Sequence, residues 1–249
     1  MKDMMLPKHS LDRARALHKL FLAGEVPGPV QHEVYPSIPR DSRENVLYFT
    51  LPAAVNFQRS SPALWKSALS TWDDVDTSYL FLPELVSVKP FEIIRSDLYK
   101  HRLAVQPNRH AIIWTKLCET FFRYYGSDPR NLLEECQFDV PTIINTLQRE
   151  KKHLFPYLGG RKLSNYWLFM LSEFTDIELR QVHEISIIPD THVIKGTIEL
   201  GLLSGNPTPL QVEEVWRHAL RELGVPPGEM HSALWRWSRN QFDPPVSGL

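Results

Sequence analysis

The sequence predicts an all-α fold, arranged as a two-lobed helical bundle, and three observations support this class. Apolar residues recur at intervals of three and four along most of the chain, which is the spacing of one helix face. Twenty prolines and eleven glycines fall mainly between these segments, where they mark helix boundaries. Strict alternation of apolar and polar residues, the pattern of a half-buried strand, is scarce.

The N-terminal part of the chain, residues 1–108, forms the first predicted lobe. Its apolar spacing predicts a helix over 10–24 capped by Ser10, a helix over 61–70 and two short helices within 79–94. Residues 25–43 form a proline-rich connector, and the apolar segment 47–60 is either a buried helix or a strand.

Periodicity strengthens from residue 109, and residues 109–249 form the second predicted lobe. Glycines at 126 and 224 are expected to end helices, and prolines at 129 and 141 to occupy first helical positions. The predicted helices cover 109–125, 128–136, 140–152, 162–174, 175–182, 190–203, 209–223 and 226–240.

Composition excludes several classes of protein. The 249 residues are 43% hydrophobic and 23% charged, which excludes disordered and fibrous chains. No apolar stretch approaches the roughly 18 residues of a membrane span, and residues 1–9 are too polar for a signal peptide. Two cysteines without a CxxC pair predict no disulfide framework and no thiolate metal cluster, so we expect a reducing, cytoplasmic compartment.

The segment most informative about function runs from residue 155 to residue 203. Gly159 and Gly160 allow a tight turn, and the helix that follows presents free N–H groups where a phosphate oxygen binds well. Residues 149–162 hold five basic side chains and one acidic side chain, a local excess of four positive charges. This arrangement favours DNA binding without sequence preference, although the overall charge of −1 argues against nucleic acid.

Downstream of this segment, Asp190 follows a proline and precedes a periodic stretch, which predicts it as a helix N-cap. A carboxylate fixed there can stabilise the positive charge that develops on a sugar when a glycosidic bond breaks. His192 is a candidate phosphate or water ligand. Tyr166 lies one helical turn after Lys162, so it is placed to stack on an extruded base.

Four further side chains are candidates for contact with a base. Trp235 and Trp237 offer stacking surface, and Asn56 and Gln58 could bind a base edge or wedge a duplex. Each also has an ordinary structural interpretation, since tryptophans and aromatic stripes at helical spacing usually belong to the core.

Two of these motifs together resemble the helix-hairpin-helix DNA glycosylase superfamily: Gly160-x-Lys162, and Pro189-Asp190 at a helix start. The 28-residue interval between Lys162 and Asp190 and the Pro-Pro segment that ends in Trp235 are similar to the archaeal 8-oxoguanine glycosylase branch. The similarity covers about residues 109–239. A weaker resemblance runs to the queuosine nucleoside glycosylases, which also cut an N-glycosidic bond.

The resemblance implies a helix-hairpin-helix motif and an active-site cleft between two lobes. It implies that Lys162 attacks the anomeric carbon of a modified nucleotide and that Asp190 assists. Together with the charge pattern it predicts DNA-backbone contacts at Gly159, Gly160, Arg161, Lys152 and His192. The predicted base pocket consists of Tyr166, His231, Trp235 and Gln58.

The resemblance also bears on cofactors and partners. It implies DNA as partner, a monomer without an obligate protein partner, no membrane and no iron–sulfur cluster. The one ion that it allows is a structural monovalent cation at the hairpin, and no catalytic metal is expected.

Two positions depart from the family pattern. Leu158 replaces the usual first glycine of the hairpin, and His231 stands where the archaeal branch commonly carries an acid for the base. A histidine offers a guanine edge a poorer match than a carboxylate does. We therefore expect excision of a modified base other than plain 8-oxoguanine, such as a hypermodified phage base, in defence or repair.

Two alternatives remain open from sequence. One is a queuosine-type nucleoside N-glycosidase that acts in salvage without DNA, which the overall charge of −1 favours. The other is a DNA-binding module without catalytic activity.

Overall fold

The computed structural model describes residues 6–27 and 34–246, and in these residues the predicted all-α class is confirmed. Part of the predicted proline-rich connector, residues 28–33, lies outside the described residues. The helices are α1 (Lys8–Leu22), α2 (Arg43–Thr50), α3 (Ser61–Asp73), α4 (Pro83–Val86), α5 (Phe91–Lys100), α6 (Pro107–Tyr125), α7 (Pro129–Glu135), α8 (Val140–Asn145), α9 (Arg161–Phe174), α10 (Thr191–Glu199), α11 (Pro209–Leu223) and α12 (Pro227–Arg239).

Short helical turns complete the described structure. A π-helical turn, Thr146–Glu150, extends α8, so the predicted helix over 140–152 changes its hydrogen-bond pattern halfway. The 3₁₀ turns are Pro52–Val55, Ser78–Phe81, Lys152–Leu154 and Val182–Glu184. Within the described residues, no helix has both the length and the apolar character that a membrane span requires.

Proline and glycine set several helix ends where the sequence predicts them, although Pro141 is the second residue of α8 rather than the first. Gly126 ends α6 and Gly224 ends α11, and both adopt the left-handed backbone (φ 57° and 66°) that glycine tolerates best. Pro129 opens α7, where its missing N–H costs nothing. At the start of α11, Thr208 and Gln211 form a reciprocal capping box.

The chain divides into two compact units that do not follow chain order. Unit 1 combines Met1–Val30 with Gln181–Leu249, and unit 2 is Gln31–Arg180. The predicted lobes, 1–108 and 109–249, divide the chain at a different place. The physical reason is that α1 packs against α11 and α12, so that the N-terminal helix belongs with the C-terminal ones.

Unit 1 is built on the close packing of α10 against α12. A Cβ atom on Gly196 of α10 would lie 2.8 Å from Cδ2 of Leu234 on α12, so a larger residue there would require the Leu234 side chain to shift. The fully buried Trp216 of α11 donates its indole N–H to Oγ1 of Thr197 at 2.7 Å. One hydroxyl therefore links α10 to α11 in the interior of unit 1.

Unit 2 has an aromatic core. Phe49 of α2 stacks on Phe174 at the end of α9, with ring centroids 5.0 Å apart. Tyr48 stacks on Phe81 at 5.5 Å, and Trp167 of α9 donates its indole N–H to Oγ1 of Thr50 at 2.9 Å. These contacts tie the two ends of unit 2 in sequence, α2 and α9, to one another.

Residues 47–60, left open as helix or strand, are helical where they are regular, in α2 and the turn Pro52–Val55. Ser10 is wrong as a cap, because α1 begins at Lys8 and the Ser10 hydroxyl instead donates to the Gly201 carbonyl at 2.9 Å. This hydrogen bond from Ser10 to Gly201 fixes the start of α1 within unit 1.

The predicted helix over 175–182 is also wrong. Residues 175–180 are irregular, because the backbone of Arg180 forms hydrogen bonds with a distant segment of the same chain rather than with residues of a local helix. Its N–H donates to the Phe138 carbonyl at 2.8 Å, and its carbonyl accepts from Val140 N–H at 3.1 Å. Such long-range pairing leaves no signal in local periodicity.

We predict that Thr197→Val destabilises the protein by about 1–3 kcal/mol, because it leaves the buried Trp216 N–H without an acceptor. Valine has nearly the shape of threonine, so the loss measures the hydrogen bonds rather than a cavity. The matched control is Thr191→Val at the exposed start of α10, expected to change stability by less than about 0.5 kcal/mol. Urea unfolding measures both, and equal stability of the two variants would contradict the role of Thr197.

Candidate functional site

The predicted hairpin is a tight turn that packs backbone against backbone. We call residues 157–160 the glycine turn. A Cβ atom on Gly159 would lie 2.4 Å from the carbonyl oxygen of Leu147, so a side chain has no room there. A Cβ on Gly160 would meet the Tyr157 carbonyl oxygen at 2.9 Å, and Gly160 N–H donates to that oxygen at 2.7 Å. The glycines are therefore explained by the internal packing of the turn.

The first turn of α9 is braced from the preceding π turn. Gln148 donates its side-chain amide to Oγ of Ser164 at 2.8 Å, and this hydroxyl in turn contacts the Gly160 carbonyl at 3.1 Å. Asn165 donates to the Arg161 carbonyl at 2.7 Å. The N-cap position, Gly160, makes no side-chain hydrogen bond, so no side chain at that position covers the N–H groups that open α9.

Four of the five predicted cations of the turn region are exposed: Arg149, Lys152, Arg161 and Lys162. The fifth, Lys151, forms an ion pair with Glu135 and donates to the Tyr125 hydroxyl at 3.2 Å. Burial lowers the pKa of Lys151, but its hydrogen bonds to these two partners raise it overall. The charge of Lys151 is thus balanced by Glu135 within unit 2.

Lys162 is the second residue of α9, directly after the glycine turn. Its side chain is exposed and makes no hydrogen bond or ion pair with any described residue. An exposed amine without a described partner, at a helix start held by hydrogen bonds, can attack a bound ligand.

Tyr166 lies in the interior of unit 2. Its side chain is 6% exposed, and its hydroxyl accepts the indole N–H of the fully buried Trp65 at 2.7 Å. The predicted stacking of Tyr166 on an extruded base would require this buried contact to open. Its position therefore favours the core interpretation.

Asn56 and Gln58 lie at the turn that follows α2. Asn56 is buried and donates to Oγ of Ser61 at 2.8 Å, so it supports the start of α3. Gln58 is exposed, has a left-handed backbone (φ 54°) and accepts a hydrogen bond from the side-chain amide of Gln106. Of the two, only Gln58 is accessible to a ligand.

A group of side chains that the sequence analysis did not single out surrounds Tyr157. The Tyr157 ring stacks on Phe57 at 4.6 Å with the planes 15° apart, and the Arg109 guanidinium lies 4.7 Å from the Tyr157 ring centre. His110 packs edge-on against Phe57 at 4.7 Å. These residues come from three separate segments, so neither spacing nor periodicity could have brought them together.

His110 is an uncharged side chain at neutral pH. Burial, with the positive charges of Arg59 and Arg109, lowers its pKa to about 4. Nδ1 accepts a hydrogen bond from Val105 N–H at 3.4 Å, which places the proton on Nε2. His110 is 1% exposed.

In unit 1, Asp190 has the predicted role of a helix N-cap. Its Oδ1 accepts from His192 N–H and from Val193 N–H, each at 2.9 Å. Oδ2 makes no hydrogen bond with any described residue. One oxygen is therefore used to fix the carboxylate, and the other remains available.

An aromatic and basic group surrounds the start of α10. Nδ1 of His192 lies 3.2 Å from Oγ of Ser238, and the His192 ring packs edge-on against Trp235 at 5.7 Å. The Arg239 guanidinium lies over the Trp235 ring at 4.7 Å. His231 is half-buried one helical turn before Trp235 on α12, so the two share a face.

Trp237 differs from its neighbour on α12. It is 1% exposed, belongs to the core of unit 1 and donates its indole N–H to the Pro244 carbonyl at 2.8 Å. Its position therefore favours packing over base contact.

The predicted residues thus fall into two groups. Unit 2 contains the glycine turn with Arg161 and Lys162, together with Lys152, Tyr166 and Gln58. Unit 1 contains Asp190, His192, His231 and Trp235.

The described residues contain no group of three or more His, Cys, Asp or Glu side chains that could hold a metal ion. Cys118 and Cys136 are buried free thiols, and burial raises the pKa of both, so neither is a nucleophile in this state.

Comparison with known proteins adds no family assignment. No protein-family model matches the chain, and no curated protein matches it in sequence.

We predict that Gly159→Ala destabilises the protein by about 1–3 kcal/mol or more, because its methyl group would overlap the Leu147 carbonyl oxygen. The control is Gly205→Ala, where space is open but φ is 71°, and the expected cost is about 1 kcal/mol. Chemical denaturation measures both variants. A smaller loss at residue 159 than at residue 205 would contradict the close packing of the glycine turn.

Proposed function

We propose that this protein is a DNA N-glycosylase of the helix-hairpin-helix type that excises a modified base and leaves an abasic site. The observation that carries the proposal is the exposed, unpaired amine of Lys162 on the first turn of α9, after a glycine turn with exposed cations around it. The resemblance in residues 109–239 supplies the reaction class.

The turn region supports the DNA-binding part of the proposal. Arg149, Lys152, Arg161 and Lys162 are exposed, and Glu150 is the one acid among residues 149–162. Phosphate oxygens bind well where free N–H groups and cations converge at a helix start. Binding of this kind ignores base sequence, as an enzyme that searches DNA for a modified base requires.

Asp190 supports the catalytic part of the proposal. Two backbone hydrogen bonds hold Oδ1, so the carboxylate has a fixed orientation and Oδ2 can face a developing positive charge. Fixed charges of this kind stabilise a transition state without reorganisation during the reaction. Beside it, Trp235 and His192 provide a partly exposed aromatic surface for base contact.

The proposed reaction exchanges one bond at the sugar for another. The neutral amine of Lys162 attacks the anomeric carbon, the bond from this carbon to the base breaks, and the base leaves with the electron pair and takes up a proton. Asp190 stabilises the positive charge on the sugar. Opening of the sugar ring then gives a Schiff base, from which elimination of the 3′ phosphate cuts the strand and gives lyase activity.

The proposal extends to the base and to the biological role. His231 presents a poorer match than a carboxylate to a guanine edge, at a cost on the order of 1–3 kcal/mol for an unmatched polar edge. We therefore propose a modified base other than plain 8-oxoguanine, in repair or in defence against phage DNA. The enzyme would act as a monomer on DNA in the cytoplasm, without an iron–sulfur cluster.

We predict that Asp190→Asn abolishes base release while stability changes by less than about 1 kcal/mol, because asparagine is an equally good N-cap. Release is measured by mass spectrometry on a pool of duplexes that each carry one modified base. The matched control is Asp139→Asn, at the N-cap of α8, which should retain wild-type release. Full activity of Asp190→Asn would remove this carboxylate from the mechanism.

We predict that borohydride traps the wild-type protein covalently on the substrate duplex, because it reduces a Schiff base. Lys162→Gln should form no adduct, whereas Lys66→Gln, which removes an exposed lysine on α3, should form it normally. Base release without trapping would show a monofunctional enzyme that uses water, with Asp190 as its general base.

The same assays separate the two alternatives. Release of base from a free modified nucleoside, with no duplex binding, would identify a nucleoside glycosidase. Salt-dependent duplex binding without release from any member of the pool would identify a binding module.

A further inference from the structure

The surface of unit 2 next to the glycine turn carries three arginines without acidic partners. Arg59, Arg102 and Arg109 form no ion pair with a described carboxylate. Arg59 donates instead to the neutral carbonyls of Arg102, Leu103 and Ala63, so its charge is not cancelled. Burial and the nearby charge of Arg102 lower the pKa of Arg59, as expected for like charges held together.

Within this positive surface, aromatic rings are partly exposed. Tyr157 and Phe57 are half-buried and stack on each other, and the exposed Arg109 guanidinium lies beside both rings, 4.7 Å from the ring centre of Tyr157 and 5.6 Å from that of Phe57. His110 holds the edge of Phe57 and, with a pKa of about 4, adds no charge of its own at neutral pH. We call Phe57, Tyr157 and Arg109 the aromatic stack.

We propose that the aromatic stack binds an unpaired nucleotide of a DNA strand, with the base on the Tyr157–Phe57 rings and the phosphates on Arg109 and Arg102. Every nucleobase has a flat face that stacks on aromatic and guanidinium groups, and every nucleotide carries the negative charge that this surface lacks. An extended apolar partner is disfavoured, since the stack offers only two rings among three cations.

The aromatic stack adjoins the glycine turn, and this position identifies a DNA strand as its occupant. Tyr157 is the first residue of that turn, and the exposed Arg161 and Lys162 follow its end directly. A strand bound along these cations therefore passes beside the stack. The inference rests on the proposed function for the presence of DNA, but it assigns a contact that base excision itself does not require.

The test measures the binding of a short fluorescent single-stranded oligonucleotide that contains 2-aminopurine. Tyr157→Asn, which removes the ring and tolerates the left-handed backbone (φ 63°), should weaken binding by about 5- to 150-fold and abolish 2-aminopurine quenching. Tyr157→Phe should bind as the wild type does. Arg109→Gln should weaken binding and reduce the salt dependence of the affinity by the equivalent of about one phosphate contact.

The matched controls, Tyr124→Asn and Arg123→Gln, remove an exposed tyrosine and arginine from the other end of α6. They lie about 21 Å from Arg109 along the helix, at a rise of about 1.5 Å per residue. Both should retain wild-type affinity. If Tyr157→Asn does not fold, as judged by circular dichroism, Phe57→Leu and Arg109→Gln provide the same comparison.

The outcomes separate the inference from the proposed function. Wild-type affinity and quenching in Tyr157→Asn and Arg109→Gln, with base release intact, would overturn the inference alone. Equal losses in the control variants would also overturn it, as would binding of a free mononucleotide as tight as that of the strand. A wild-type protein that binds neither single-stranded nor duplex DNA would overturn both.

Discussion

Buried tryptophans whose indole N–H groups are bonded inside the protein hold the helices of each unit in place. An indole buries a large apolar surface but carries one donor, which must find an acceptor when water is excluded. On α9 this constraint acts twice in succession, because Tyr166 accepts from Trp65 and Trp167 donates to Thr50. The helix that carries the glycine turn is thus anchored to α3 and α2. The fully buried tryptophans among the described residues are Trp65, Trp114, Trp167, Trp216 and Trp237.

Anchoring of α9 explains how the glycine turn keeps its shape at the surface. Gly159 packs on the Leu147 carbonyl from one side, and Gln148 braces the first helical turn from the same segment. The exposed side chains of Arg161 and Lys162 are therefore attached to a closely packed and hydrogen-bonded segment of backbone. In unit 1, Asp190 has a comparable arrangement, with one oxygen bound to backbone and the other available. Preorganisation of this kind is what a binding or catalytic site requires.

Much of the fold could be predicted because prolines and glycines mark helix ends by local backbone chemistry, as at Pro129, Gly126 and Gly224. The cap at Asp190 was predictable for the same reason. Long-range contacts could not be predicted in this way. Ser10 therefore differs from expectation because it is hydrogen-bonded to Gly201, and residues 175–180 differ because Arg180 pairs with a distant segment. The aromatic stack was missed because it joins three distant segments, and the buried contact of Tyr166 because it depends on Trp65 of another helix.

We propose that DNA binds the exposed cations that follow the glycine turn, and the salt dependence of duplex affinity tests this proposal most directly. Each phosphate contact contributes about −0.9 to the slope of log K against log salt concentration. We expect a slope of about −2 to −4 for the wild type. In the double variant Arg161→Gln, Lys162→Gln the slope should be less steep by about 2, because two phosphate contacts are lost. An affinity independent of salt, or an unchanged slope in the double variant, would contradict the binding of DNA to these cations.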